Sequence, residues 1–107
     1  MADNIVPELT NSEFNEFIKE GLVLIDFFAE WCMPCMMMSP IIDELGEKFK
    51  GKIKFGKVNV GEESDLAERY DVSSVPNFVL FENGKIKNRF IGGMSEEELE
   101  EKLNSFL

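Results

Sequence analysis

The sequence predicts an α/β fold in which a mixed central sheet of four to five strands is flanked by four helices. Three observations carry that expectation. Helical and extended segments alternate along the chain, the pattern of a sheet covered by helices. Residues 22–29 are apolar on both faces except at Asp26, the mark of a central strand buried on two sides. Asn83-Gly84 separates two extended runs and is a strong short-range hairpin signal. At 107 residues the chain is expected to form a single domain over residues 1–107, large enough for a core of its own.

Each element has a local cause. Thr10-Asn11-Ser12-Glu13 reads as a capping box that opens a helix with Phe14, Phe17 and Ile18 on one face, and Gly21 closes it. The apolar strand of residues 22–29 follows. A second helix begins near Pro34, where proline suits the first turn. Its apolar face continues through Met37, Met38, Ile41, Ile42, Leu45 and Phe49, and Pro40 inside it should produce a kink. Residues 52–60 form the next strand, apolar at Ile53, Phe55 and Val58, and residues 62–70 a short helix carrying Leu66, Ala67 and Tyr70. Residues 77–82 and 85–91 are the two arms of the hairpin. Ser95-Glu96-Glu97-Glu98 is a second capping box, starting a helix with Leu99, Leu103, Phe106 and Leu107 inward. A short further strand is expected around Ile5-Val6. Strands separated by helices should pair in parallel through right-handed crossovers, and the hairpin adds antiparallel pairing. In such sheets the functional site lies beyond the carboxyl ends of the strands, where Trp31-Cys32-Met33-Pro34-Cys35 falls.

Composition removes several functions. The net charge of −10, from 21 acidic against 11 basic residues, leaves no basic face for nucleic acid. The absence of histidine removes His-based acid–base catalysis, His metal ligation and Ser-His or Cys-His nucleophiles. The longest apolar run is far short of the roughly 20 residues of a membrane span. The start, Met1-Ala2-Asp3-Asn4, has neither the basic nor the apolar region of a secretory signal, so a cytoplasmic location is expected.

The two cysteines stand at Cys32 and Cys35. Structural zinc takes four ligands and a single-chain iron–sulfur site four cysteines, so neither fits. A reversible disulfide does fit: residues three apart on a helix bring their Cα atoms to about 5 Å. So short a loop is a weak staple, worth about 2 kcal/mol in the chain-entropy model, and the spacing suits redox chemistry better than stabilisation. Cys32 lies just before the first turn, near unpaired N–H groups that favour its thiolate; Cys35 lies one turn in. Cys32 is therefore assigned as the nucleophile and Cys35 as the resolving thiol. Met36-Met37-Met38 would suit Cu(I) together with thiolates, but helical spacing places Met37 and Met38 in the core instead. Asp26 interrupts an apolar strand and should be protonated at a raised pKa or paired.

The stretch Phe27-Phe28-Ala29-Glu30-Trp31-Cys32-Met33-Pro34-Cys35 resembles the active-site segment of the thioredoxin family. The resemblance runs over essentially the whole chain, through Val75-Pro76, Asn83-Gly84 and Gly92. It implies a sheet with the first, third, second, fourth and fifth strands adjacent in that order. It implies reduction of protein disulfides by a chain that binds no cofactor and is recharged by a thioredoxin reductase or an equivalent donor, acting as a monomer. It implies that Asp26 moves the proton of the buried thiol with Lys57 beside it, and that Pro76 is cis and offers the Val75 backbone to an extended substrate. Trp31, Met33, Pro34, Val75, Pro76 and Gly92 then form the docking surface.

Four positions depart from the family pattern. Met33 stands where glycine is usual, Met36 where lysine is common, Asn77 where threonine commonly follows the proline, and Phe28 where tryptophan is frequent. Losing the lysine should modestly disfavour the Cys32 thiolate. The alternatives are a glutaredoxin-like or disulfide-isomerase-like enzyme on the same fold, and a non-catalytic binding module with a thiol or Cu(I) site.

Overall fold

The computed structural model describes residues 6–107. Its elements follow in the expected sequence: α1 (Asn11–Phe17), β1 (Leu22–Phe28), α2 (Met33–Lys48), β2 (Lys54–Asn59), α3 (Ser64–Arg69), β3 (Asn77–Glu82), β4 (Lys85–Ile91) and α4 (Glu96–Asn104). Among the described residues the strands form one four-stranded sheet in the order β2-β1-β3-β4. The fold is the thioredoxin fold. Ile5 lies outside the described residues. Beyond it, extended pairing is limited among the described residues to one parallel bridge between Glu8 and Lys57, so Pro7–Leu9 run beside β2. Leu9 N–H donates to the Lys57 carbonyl at 2.7 Å, and Lys57 N–H to the Pro7 carbonyl at 2.9 Å.

One expectation about strand direction is corrected. β1 and β2 do pair in parallel across α2, but β3, although separated from β2 by a helix, lies antiparallel against β1. α3 is too short to carry the chain back along the sheet by itself, and the residues on either side of it do not do so. Six residues of helix advance about 9 Å, while a strand of six or seven residues is about 20 Å long. α3 therefore leaves the chain at the end of the sheet where β2 finished, and β3 must start there and run back. Its first residue, Asn77, pairs with Phe27 at the end of β1.

The strand period of two divides the core between the two faces of the sheet. Leu24, Phe55, Phe78 and Leu80 pack under Met38, Ile42 and Leu45 of α2 and Leu99 and Leu103 of α4. Val23, Ile25, Phe27, Val79 and Phe81 pack under Phe14 and Ile18 of the first helical segment and Leu66 of α3. Two side chains expected inside are not. Met37 is 69% exposed and Leu107 is also exposed, while Met38 and Phe106 take the inward positions. In α2 the inward stripe is Cys35, Met38, Ile42 and Leu45, steps of three and four, and Met37 falls off it.

The turns and caps follow their residues. Asn83 and Gly84 both have positive φ, 51° and 85°, as a two-residue type I′ hairpin turn requires. Thr10 N–H donates to the Glu13 carboxylate at 3.2 Å, and the hydrogen bonds from Thr10 hold Glu13 below the usual carboxylate range. Ser95 accepts from Glu98 N–H at 3.1 Å to start α4.

Candidate active site

β1 ends and α2 begins within five residues, and the cysteines sit at that junction. Cys32 is the N-cap of α2, with extended backbone, and Pro34 lies in the first turn. The capping role falls to sulfur: Cys35 N–H donates to Cys32 Sγ at 3.2 Å. Sulfur is thereby placed against an otherwise unpaired helix N–H, which favours negative charge on it. Cys32 and Cys35 are joined as a disulfide with their Cα atoms 5.3 Å apart, matching the spacing argument. Both are buried, packed with Ala29 and against Phe28, Val60 and Val75.

Three loops meet over this disulfide. The Val75–Pro76 bond is cis, and the Val75 carbonyl oxygen lies 3.8 Å from Cys32 Sγ. Gly92 N–H donates to the Pro76 carbonyl at 2.9 Å from a φ of 97°, a conformation open to glycine without a steric cost. Gly93 runs beside Pro34: a Cβ added there would stand 3.7 Å from the proline's Cβ. Trp31 is 80% exposed, so it stands over the surface instead of joining the core, and Met33, Met36 and Met37 are exposed with it. The sequence-predicted docking residues Trp31, Met33, Pro34, Val75, Pro76 and Gly92 thus fall around one pair of sulfurs, and the third methionine joins the rim where core packing was expected.

Beneath the pair lies Asp26, 4% exposed. Alternation along β1 turns it to the Leu24 face, the one covered by α2. Its Oδ1 accepts no hydrogen bond among the described residues. Burial pushes its pKa up from 3.8 to about 7; the Lys57 charge pulls it down less strongly, and Asp43 on α2 adds to the rise. Asp26 and Lys57 are register partners across the parallel β1–β2 pair. Both line a cleft of about 260 Å³ together with Cys35, Met36 and Ser39. A proton on the Cys35 thiol therefore has a buried carboxyl and a solvent-accessible cleft on the same side of the sheet. A larger cleft of about 590 Å³ opens at the opposite end, among Phe17, Leu22, Lys52 and Phe55, and holds none of these groups.

Sequence reasoning passed over Arg89, which reaches from β4 to Tyr70 and Asn77, on either side of Val75 and Pro76. The signal available was strand alternation: Arg89 is opposite Val79, an inward-facing residue, and a cation on that side of β4 requires acceptors.

The thioredoxin family model matches residues 5–105. The chain belongs to the thioredoxin family. It is 41% identical over 104 residues to the chloroplastic thioredoxin M4 of Arabidopsis thaliana, covering 95% of this chain and 54% of that protein. It is 41% identical over 100 residues to the thioredoxin of Chlamydia pneumoniae, covering 94% and 97%. With the thioredoxin of Rickettsia felis the figures are 40% over 106 residues, 97% and 97%. The chain thus spans about half the length of the plant relative and nearly all of the two bacterial ones. Thioredoxin-family membership, together with the Cys32–Cys35 pair at the mouth of the fold, makes the chain a thiol–disulfide oxidoreductase acting by dithiol–disulfide exchange. No described helix is long and apolar enough to cross a membrane.

Proposed function

We propose that the protein is a reductase of protein disulfides in which Cys32 attacks and Cys35 resolves. The observation that carries this reading is the N-cap position of Cys32, whose sulfur accepts a helix N–H while Cys35 lies one turn further in. In the reduced protein the Cys32 thiolate attacks one sulfur of the substrate disulfide, forming a mixed disulfide and releasing the other sulfur as a thiolate. Cys35 then loses its proton and attacks Cys32 Sγ. The Cys32–Cys35 disulfide forms, the second substrate thiolate leaves, and two electrons have passed to the substrate. Asp26, with a pKa near 7, accepts the Cys35 proton at neutral pH, and Lys57 tempers its pKa.

An extended substrate segment docks along Val75, held by main-chain hydrogen bonds, with Trp31, Met33, Pro34, Pro76 and Gly92 as its apolar surroundings. The disulfide formed in each turnover is reduced by a thioredoxin reductase or an equivalent donor. No bound cofactor enters these steps. The chain acts as a monomer of one domain in the cytoplasm, with neither nucleic acid nor membrane as a partner.

The deciding experiment pairs a trap with a titration. Cys35→Ser should accumulate mixed disulfides through Cys32, and Cys32→Ser should accumulate none. Thiol trapping of the wild-type pair in graded dithiol buffers should give one two-electron transition near the reducing thioredoxins, about −270 mV. A midpoint near the oxidising end, about −120 mV, would make the protein a disulfide donor instead.

A further inference from the structure

We propose that Arg89 is a positioning residue that sets where the Val75 backbone stands beside Cys32, and so governs reaction with peptide disulfides. The inference rests on the docking role given to Val75 above. Its basis is a hydrogen-bond network that spans the whole segment between α3 and β3. Arg89 Nη2 donates to the Tyr70 carbonyl at 2.6 Å, and Nη1 to Asn77 Oδ1 at 3.2 Å. Asn77 Nδ2 in turn donates to the Ser74 carbonyl at 3.2 Å. One guanidinium therefore holds the end of α3 directly and the start of β3 through Asn77, and the asparagine passes the restraint on to the residue before Val75.

Strand geometry explains why these groups meet. Asn77 pairs with Ile91 and Val79 with Arg89, so Asn77 and Arg89 are diagonal neighbours on the sheet face that α3 covers. Asn77 is 1% exposed, and such an amide needs partners for both of its ends. Arg89 supplies the donor for its oxygen, and Ser74 the acceptor for its nitrogen. Tyr70 follows the last residue of α3, where carbonyls lack helical partners, and the guanidinium fills that need. Both acceptors of Arg89 are neutral oxygens, and among the described residues it forms no ion pair within 4.0 Å. What the site uses is the fixed fork of donors, which a lysine ammonium on a flexible stem does not reproduce. Asn77 and Arg89 thus act together, which gives the departure at position 77 a physical role.

The test compares two disulfides with fully reduced protein in single turnover: a disulfide-bonded protein such as insulin, and a small aromatic disulfide with no peptide backbone. Arg89→Lys and Arg89→Met should each slow reaction with the protein disulfide by about tenfold, the effect of one misplaced set of polar contacts. The small disulfide should change less than about twofold, as should the thiol-trapping midpoint. In Arg89→Lys, amide exchange at Ser74 and Val75 should also rise; this measurement decides the matter should Arg89→Met fail to fold. Full activity of Arg89→Lys on the protein disulfide overturns the proposal, as does equal slowing of both substrates. A wild-type protein that reduces the small disulfide and leaves the protein disulfide untouched overturns the docking reading itself, and this inference with it.

Discussion

On one face of the central sheet, Val23, Ile25 and Phe27 of β1 meet Phe14, Leu66 and Phe81 in an apolar layer, with Asn77 and Arg89 at its edge. On the other face Leu24 is followed by Asp26, and the packing opens into the cleft below Cys35. The two faces share one backbone and differ by a single residue of register. The first is knit by aromatic rings: Phe81 meets Tyr70 and Phe14 edge-on with centroids 5.2 and 5.9 Å apart, and Phe14 and Tyr70 are 5.4 Å apart. It buries no carboxyl. The second buries a carboxyl whose charged form is unfavourable there, and the proton acceptor we propose for Cys35 is that carboxyl. Stability and chemistry are thus assigned to opposite sides of the same strand.

The largest effect expected from breaking this division is on the sealed side. Phe27→Ala should cost about 3–5 kcal/mol, the usual range for deleting a buried phenylalanine, in urea unfolding of the oxidised protein. The loss should be the same at acid and alkaline pH. A strong pH dependence would mean that the two faces are coupled and the division is wrong.

The next effect lies on the other face and has the opposite sign. Asp26 binds its proton more tightly folded, with a pKa of about 7, than unfolded, near 3.8. The folded state's advantage from that proton is complete below the unfolded value and is lost as the pH rises to about 7; above that the penalty is constant. Three pKa units correspond to roughly 4 kcal/mol. Asp26→Asn, which mimics the neutral acid, should match the wild type in stability near the unfolded pKa and exceed it by about that amount above the folded one. Its reductase rate should fall as its stability rises, because the proton acceptor is gone. A variant no more stable at alkaline pH would show that the carboxylate finds partners when it ionises.

These two residues also show what could be read from the chain alone. Burial on both sides of β1 and the cost of a carboxylate there follow from the residue types, so Asp26 stood out at once. The spacing of Cys32 and Cys35 with Pro34 between them placed the pair at a helix start for local reasons, and the cis Val75–Pro76 bond came through the family resemblance. Local rules failed where a tertiary fact decided. The direction of β3 depended on where α3 and the residues on either side of it carry the chain. Met37 and Met38 are neighbours of equal hydrophobicity, and only the phase of α2 against the sheet separated them. Arg89 drew no attention because its acceptors, Tyr70 and Asn77, are distant in sequence and, for Tyr70, a backbone carbonyl.

The smallest effect sharpens the same comparison at its edge. Met36 N–H donates to the Cys32 carbonyl at 3.2 Å, and the Met36 side chain lines the cleft above Asp26. Restoring a cation with Met36→Lys places one positive charge near both the attacking thiol and the buried acid, and it favours the ionised form of each. Exposure and counterions limit the gain, so the Cys32 thiol and Asp26 should each fall by less than about one pKa unit. Thiolate absorbance of the reduced protein reads the first, and the pH dependence of unfolding reads the second. About 1 M salt should shrink both shifts, because position 36 is exposed. A fall at Asp26 with none at Cys32 would mean that the lysine is felt through the low-dielectric cleft alone. The thiolate would then be held by the helix N–H at its cap, and the missing lysine would matter for the proton step alone.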